Sequence, residues 1–171
     1  GADQIFNPSL TGFGRLGVSQ TSAEGIDTSS DSTAPYLQGG MEYTTSGRTS
    51  LTGSIGYQPY RSENSFYNSQ DRFNFGVGAR HDITAKINLS ATLNYILSLY
   101  DGSYQASTGY NAPDAKDKYL TLGLRCAYQI NRNNFIEAGY LFRTRTTSTG
   151  NNVVLTEWDS NRIDLTWRLR L

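Results

Sequence analysis

Side chains suited to acid–base or nucleophilic catalysis are scarce in this chain of 171 residues. The one histidine, His81, lies in RHDIT beside a predicted short turn. Neither a Ser-His-Asp nor an Asp-His constellation can be assembled around it, so we interpret it as a residue of a surface turn. The one cysteine, Cys126, is interpreted as a small apolar side chain on the face of a strand. We therefore expect no catalytic residues and no enzymatic activity.

Metal-binding and phosphate-binding motifs are not indicated either. DTSSD and DAKD contain acids at spacings similar to those of calcium ligands, but they lack the closing glutamate of a full calcium loop. Cysteine and histidine do not cluster as they do in zinc sites. The glycines of GVGAR and TGFGRLG precede no helical segment whose N-terminus could bind a phosphate. We expect no metal and no cofactor, and we interpret the acids of the loops as solvated charges.

Arginine is the charged residue with the clearest pattern, because it recurs on one side of several alternating segments together with a few acids. The residues predicted to share this side are Arg15, Glu42, Arg72, Arg80, Arg125, Glu137, Arg143, Arg145, Arg162, Asp164, Arg168 and Arg170. The planar guanidinium suits a crowded, hydrogen-bonded surface. Unpaired positive charge in a dry interior would be very unfavourable. We therefore predict that this side of the strands is hydrated and electropositive.

The overall charge excludes some partners. Lys+Arg 15 and Asp+Glu 15 cancel, so net charge favours binding neither to nucleic acid nor to an anionic membrane surface. The basic residues are spread along strands and are not interleaved with stacking aromatics on one exposed sheet, so we expect no nucleic-acid partner. Apolar runs of the roughly 18 residues that a transmembrane helix needs are absent from the sequence.

Alternation of apolar and polar residues dominates the chain, and helical periodicity is nearly absent. In INLSATLNYILSL the apolar positions run from Ile87 to Leu99 on one face. NRIDLTWRLRL repeats the pattern from Ile163 to Leu171. The first strand is the least regular, because Phe13 falls on the side of Arg15. The predicted strands are 10–20, 35–45, 49–60, 71–82, 86–100, 117–130, 134–146 and 158–171.

The connections between these strands alternate in length. The long ones are TSAEGIDTSSDSTA, RSENSFYNSQ, DGSYQASTGYNAPDAK and TSTGNNVVLTEW, and the short ones are TSGR, DITA and NRN. Short connections of this composition are typical of hairpin turns. In an antiparallel up-and-down sheet, this alternation places the long loops at one end and the short turns at the other.

Alternation alone leaves open which face lies inside, since a soluble lipocalin-like barrel also has about eight strands but an apolar interior. The length of the apolar stripes, the abundance of arginine on the other face and the aromatics near strand ends favour an apolar exterior. We interpret these aromatics as two interfacial girdles. The girdle residues are Tyr43, Tyr128 and Trp167 toward the short turns, and Tyr57, Phe73, Tyr95 and Phe142 toward the long loops.

The alternation, the loop asymmetry and the tyrosine- and arginine-rich hairpin SLTGSIGYQPYRSENSFYNSQDRFNFGVGARHDIT resemble the bacterial outer-membrane β-barrel superfamily, most closely its porin-type families. The resemblance implies one all-β domain over 1–171: an antiparallel up-and-down transmembrane β-barrel of about eight strands, with long extracellular loops and short periplasmic turns. It implies that 1–9 is a periplasmic or lumen-facing segment. It further implies location in the outer membrane of a Gram-negative bacterium, with lipid and lipopolysaccharide as partners. The last strand of that superfamily normally ends on an aromatic residue, whereas this chain has Leu171.

We expect a small porin-like pore whose arginine-rich lumen prefers anions. Eight strands enclose a space that side chains largely fill. The alternatives are therefore a non-conducting structural or interaction barrel that holds a protein partner through its long loops, and a share in a wider or multi-chain barrel. A soluble ligand-binding barrel is the remaining alternative.

Overall fold

The computed structural model describes residues 1–24, 29–45, 47–61, 67–102, 104–105, 110–111, 114–149 and 156–169. The described residues are almost entirely strand. The strands are β1 (Ala2–Asn7), β2 (Leu10–Glu24), β3 (Ser29–Thr45), β4 (Thr49–Arg61), β5 (Tyr67–Asp82), β6 (Ile87–Gly102), β7 (Tyr104–Gln105), β8 (Tyr110–Asn111), β9 (Ala115–Gln129), β10 (Asn134–Thr149) and β11 (Trp158–Leu169). None of the described residues belongs to a helix of the length and hydropathy that crossing a bilayer requires.

Nine strands form one sheet in the order β1-β2-β3-β4-β5-β6-β9-β10-β11, and β7 pairs only with β8. Every neighbouring pair is antiparallel. This confirms the prediction of an all-β, antiparallel, up-and-down arrangement. Between the described residues, hydrogen-bonded pairing ends at β1 on one side and at β11 on the other.

The sheet has one strand more than the sequence analysis proposes. Ala2–Asn7, which we placed outside the strands, forms β1 and pairs with β2 from Ala2↔Gly14 to Asn7↔Leu10. ADQIFN does not alternate between apolar and polar residues, so its sequence gives no strand pattern. Its place in the sheet comes from backbone pairing with β2, which is largely independent of side-chain type.

The strands also extend further toward the long connections than their apolar stripes do. TSAEGIDTSSDSTA was expected to be a loop, but β2 and β3 pair through most of it, as far as Glu24↔Ser29. Serine- and threonine-rich segments can continue a ladder beyond the end of an apolar stripe, because the ladder needs only backbone groups. The expectation of a long loop is therefore wrong for most of this segment.

The three short connections are tight turns, as predicted. The Asn131 side-chain oxygen accepts hydrogen bonds from the backbone N–H groups of Asn133 (3.0 Å) and Asn134 (2.9 Å). The Thr84 hydroxyl oxygen accepts from the backbone N–H groups of Lys86 and Ile87 at 3.1 and 3.0 Å. Gly47 has φ 65°, a left-handed conformation that suits glycine. We call this end of the sheet the turn end and the opposite one the loop end.

Strand register divides the sheet into two faces. Arg80, Ser90, Arg125, Gly139 and Asp164 are successive partners across five strands and share what we call the polar face. The residues on the other side of each strand form the apolar face, on which Val77, Leu93, Leu122, Phe142 and Asn161 are successive partners across the same five strands. The described arginines of β5, β9, β10 and β11 therefore all lie on the polar face.

Candidate functional site: the polar face of the sheet

The charged residues that the sequence places together do lie on one face of the sheet. By register, the polar face carries Arg15, Glu42, Arg72, Arg80, Arg125, Glu137, Arg143, Arg145, Arg162, Asp164 and Arg168. Arg170 lies outside the described residues. The strand register therefore gives these residues a common face.

Near the turn end, one carboxylate is shared by two arginines from the strands on either side of it. Glu137 on β10 lies 3.6 Å from Arg125 Nη1 on β9 and 3.1 Å from Arg168 Nη2 on β11. The Glu137 side chain is 16% exposed, whereas those of Arg125 and Arg168 are 60% and 62% exposed. The carboxylate is therefore partly covered, and the guanidinium groups are the outermost charges.

Near the loop end, Asp117 on β9 and Arg145 on β10 form a more enclosed pair. Arg145 Nη2 lies 2.8 Å from Asp117 Oδ2, and Arg145 Nε donates to both carboxylate oxygens at 3.0 and 3.1 Å. Several N–H groups converging on one carboxylate make a strong, directional pair. Asp117 was interpreted as a solvated loop acid, and this is wrong. It is the third residue of β9 and is buried there.

Burial in the described chain is concentrated on the polar face. The residues classed as buried are Ala115, Gln70, Ser98 and Asp117, and all four lie on that face near the loop end. Sequence analysis missed Gln70, Ser98 and Asp117 as members of this cluster. The signal that could have found them is their even spacing from polar-face residues of the same strand: Gln70 from Arg72, Ser98 from Ser90 and Asp117 from Arg125.

Several arginines of the polar face form no ion pair with another described residue: Arg15, Arg72 and Arg143. The Arg15 guanidinium lies 5.4 Å from the centre of the Phe13 ring, and that of Arg72 lies 4.7 Å from the centre of the Tyr60 ring. The Arg72 Nε atom is buried and has no hydrogen-bond partner among the residues that the structure describes. The polar face thus has positive charge that its own carboxylates do not neutralise.

The predicted girdle aromatics all lie on the apolar face by register, although not all lie near strand ends. Tyr57 and Phe73 are neighbours toward the loop end, with ring centres 4.9 Å apart. Trp167 lies toward the turn end, where its indole N–H donates to Asn134 at 3.2 Å. Tyr43 and Tyr128 also lie near the turn end of their strands, whereas Tyr95 and Phe142 lie near the middle of β6 and β10. The difference arises because β6 and β10 extend further toward the loop end than the predicted strands do.

His81 and Cys126 lie on the apolar face, away from the charged residues of the polar face. The His81 Nδ1 atom is hydrogen-bonded to the hydroxyl of Thr49 at 2.8 Å, and the Cys126 thiol is free and exposed. Within the described residues, no group of three or more histidine, cysteine or carboxylate side chains is placed to hold a metal ion.

No family model, curated protein or solved structure matches this chain. Its function is therefore inferred from the two faces of the sheet.

Proposed function

We propose that the sheet is the wall of an outer-membrane β-barrel, with its apolar face on lipid and its polar face on an aqueous lumen, and that the protein is a small pore with a preference for anions. The distribution of burial carries the proposal. Ile163, Leu165 and Trp167 are 83%, 77% and 68% exposed, whereas three of the four buried residues in the described part of the chain are polar. A soluble protein of this size buries its large apolar side chains. A membrane barrel exposes them to lipid.

The height of the apolar face supports placement in a bilayer. On β6 its apolar residues run from Ile87 to Leu99 within one strand. At about 3.3 Å per residue this stripe is about 40 Å long. A strand tilt of about 45° reduces that length to about 28 Å across the membrane, close to the roughly 25 Å apolar band of membrane barrels.

Charged residues lie on the apolar face in the part of this band nearest the loop end. Lys116 and Lys118 on β9 and Asp71 on β5 lie on the apolar face, beside Leu97 and Leu99 of β6. Lysine can extend its ammonium group into the headgroup region while its carbon chain stays in the apolar layer. The aromatic pair Tyr57–Phe73 lies at the same level, since Phe73 is the partner of Leu97. This arrangement suits an interface between lipid and water.

The preference for anions follows from the charge of the polar face. Arginines outnumber carboxylates among the described strand residues of that face, and Arg15, Arg72 and Arg143 have no ion-pair partner among those residues. Rings of positive side chains are the usual means by which pores select anions. A hydrated lumen would also remove the energetic penalty that such charges carry in a dry interior.

A barrel also requires the sheet to close. Because the sheet has nine strands and each is antiparallel to the next, its two edge strands β1 and β11 run in the same direction. Closure within the chain would pair β11 with β1 in parallel, or with the part of β2 beyond Gly14 that β1 does not cover. The two open edges favour, as a second candidate, a share in a wider barrel completed by strands beyond these nine. Such a barrel would have a wider lumen, since diameter grows with strand number.

The test of the pore is single-channel recording in planar bilayers with protein whose folding is verified by heat-modifiable gel migration. Discrete conductance steps with a reversal potential on the anion side are expected. Folded protein that inserts but gives no steps would overturn the pore and favour a structural barrel. The mass of the particle in detergent shows whether a barrel contains one chain or several. Only a mass of several chains would support a barrel wall built from more than one chain.

A further inference from the structure

The polar face contains a cleft of about 710 Å³ at the turn end, within the range of ligand-binding sites. We call it the turn-end cleft and define it by Arg48, Arg80, Lys86, Arg125, Glu137 and Arg168. It extends from the turn before β4, across β5, β6, β9 and β10, to β11. Cationic side chains therefore reach it from both sides.

Backbone hydrogen bonds fix the two turns that contribute Arg48 and Lys86. The Asp82 N–H donates to the Arg48 carbonyl at 2.8 Å, which joins the turn before β4 to the end of β5. The Gln129 N–H donates to the Lys86 carbonyl at 2.8 Å, which joins the turn before β6 to the end of β9. The backbone that carries these two cations is thus held against the sheet beside the cleft.

The acids of the cleft do not neutralise its cations. Asp82 lies 3.6 Å from Arg80 Nη2 and also accepts a hydrogen bond from Asn88. Glu137 is already shared by Arg125 and Arg168. Arg48 and Lys86 add charge without an ion-pair partner among the described residues. Because Glu137 is much less exposed than its two arginines, an anion that enters on this side of the cleft meets their guanidinium groups before it meets the Glu137 carboxylate.

We propose that the turn-end cleft binds a small solute that carries two or more oxyanion groups, such as phosphates or carboxylates. The cations form two groups, Arg48, Arg80 and Lys86 on one side and Arg125 and Arg168 on the other. Arg80 and Arg125 lie in one row with Ser90 between them, so their strands are about 10 Å apart at the usual spacing, whereas Arg125 and Arg168 converge on the one Glu137 carboxylate. Two groups of donors at this separation favour a ligand with two anionic ends over a single small anion, and guanidinium suits planar or tetrahedral oxyanions.

This inference rests on the proposed function in one respect: in a pore, the cleft would be the opening of the lumen at the turn end, through which the solute passes. Binding can be measured without a membrane or a current. The probes are pyrophosphate and citrate, with inorganic phosphate as the single-group reference, titrated calorimetrically into the folded full chain in detergent at constant ionic strength. Tighter binding of pyrophosphate than citrate would assign phosphate chemistry, and the reverse order would assign carboxylate chemistry.

Three variants should affect the affinity of the cleft differently: one should lower it, one should raise it and one should leave it almost unchanged. The double change Arg125→Gln with Arg168→Gln should weaken binding of the preferred probe by about tenfold or more, because two close charges are lost. Glu137→Gln should strengthen it by about threefold, because a competing carboxylate becomes neutral. The matched control Arg143→Gln removes an arginine from the same face nearer the loop end and should change affinity by less than about twofold.

Binding no tighter than that of inorganic phosphate would overturn the inference. So would equal losses in the Arg143 control and the double variant, or weaker binding after Glu137→Gln. A folded protein that binds pyrophosphate but gives no conductance would support binding in the turn-end cleft and contradict the pore. A conducting protein without this binding would do the reverse.

Discussion

Arg145 and Asp117 join β10 to β9 through the most enclosed ion pair between described residues, with Arg145 Nη2 2.8 Å from Asp117 Oδ2. The two side chains are 27% and 11% exposed, while the arginines of the other four pairs are all more than half exposed. Ser98 lies opposite Asp117 on β6, so the pair is part of the buried polar cluster. Polar groups at the most buried positions are unusual in a soluble domain and suit a crowded, hydrated interior.

Asp117→Asn should destabilise the protein and make the proposed pore more anion-selective. The change leaves the partly buried Arg145 guanidinium without its carboxylate, which we expect to cost about 1–3 kcal/mol of unfolding free energy. The same unpaired charge should move the reversal potential further toward the anion value. Urea unfolding in lipid vesicles and bilayer recording measure the two effects. Unchanged selectivity would show that the pair does not face the permeating solution. Unchanged stability would show that Arg145 does not depend on the Asp117 carboxylate.

Charge reversal on the polar face should shift selectivity toward cations. Arg143→Glu combined with Arg168→Glu changes the charge of the proposed lumen by four units, and the reversal potential in a salt gradient should move to the cation side. The matched control is Lys116→Glu combined with Lys118→Glu, which makes the same charge change on the apolar face of β9. This control should shift the reversal potential much less, since its charges lie outside the proposed lumen. Equal shifts for both pairs would argue against a lumen along the polar face.

An arginine at the centre of the apolar stripe should be much more costly than one beside it on the polar face. Leu93 is midway between Ile87 and Leu99, and Asn94 is its neighbour on the opposite face. Leu93→Arg should cost about 2–4 kcal/mol in a bilayer. Asn94→Arg places the same side chain in water and should cost about 1 kcal/mol or less. Urea titrations of both variants in vesicles measure the difference, and equal costs would contradict lipid contact at Leu93.

Adding a methyl group should lower the stability of the protein at Gly40 but not at Gly14. A Cβ on Gly40 would lie 2.6 Å from the Phe13 ring and 3.2 Å from the Gly53 carbonyl oxygen, so the ring needs this glycine beneath it. A Cβ on Gly14 would meet nothing within 4 Å. Gly40→Ala should therefore destabilise the protein by about 1–3 kcal/mol, whereas Gly14→Ala should be neutral or stabilise it by up to about 1 kcal/mol. Equal stability in urea would show that the Phe13 ring moves aside freely.

The sequence was most informative where apolar and polar residues alternate without interruption. The odd-numbered apolar residues of β6 and the arginines of β9 and β10 could be assigned to faces from spacing alone, because a period of two leaves each residue only one choice. β1 could not be predicted, because ADQIFN has no such period and pairs through its backbone. The polar extensions of β2 and β3 were missed for the same reason.

Two properties of the site depend on information that spacing does not contain. The Asp117–Arg145 pair is a diagonal contact between strands, and it requires the register of β9 against β10, which sets Tyr119 opposite Arg145. The turn-end cleft requires turns to be held against strands to which they are not joined, as Arg48 is held to Asp82. Both depend on pairing between separate segments, which a pattern along one segment does not specify.

The central claim is that lipid covers the apolar face and water covers the polar face, and two adjacent residues of β9 test it most directly. Cys126 is the one native thiol and is exposed on the apolar face, while Arg125 is exposed on the polar face. A fluorophore on Cys126, in protein folded into vesicles, should be quenched by brominated acyl chains and little affected by aqueous iodide. The same fluorophore on Arg125→Cys with Cys126→Ser should be quenched by iodide and little affected by brominated lipid. The opposite pattern, or iodide quenching at both positions, would contradict the account.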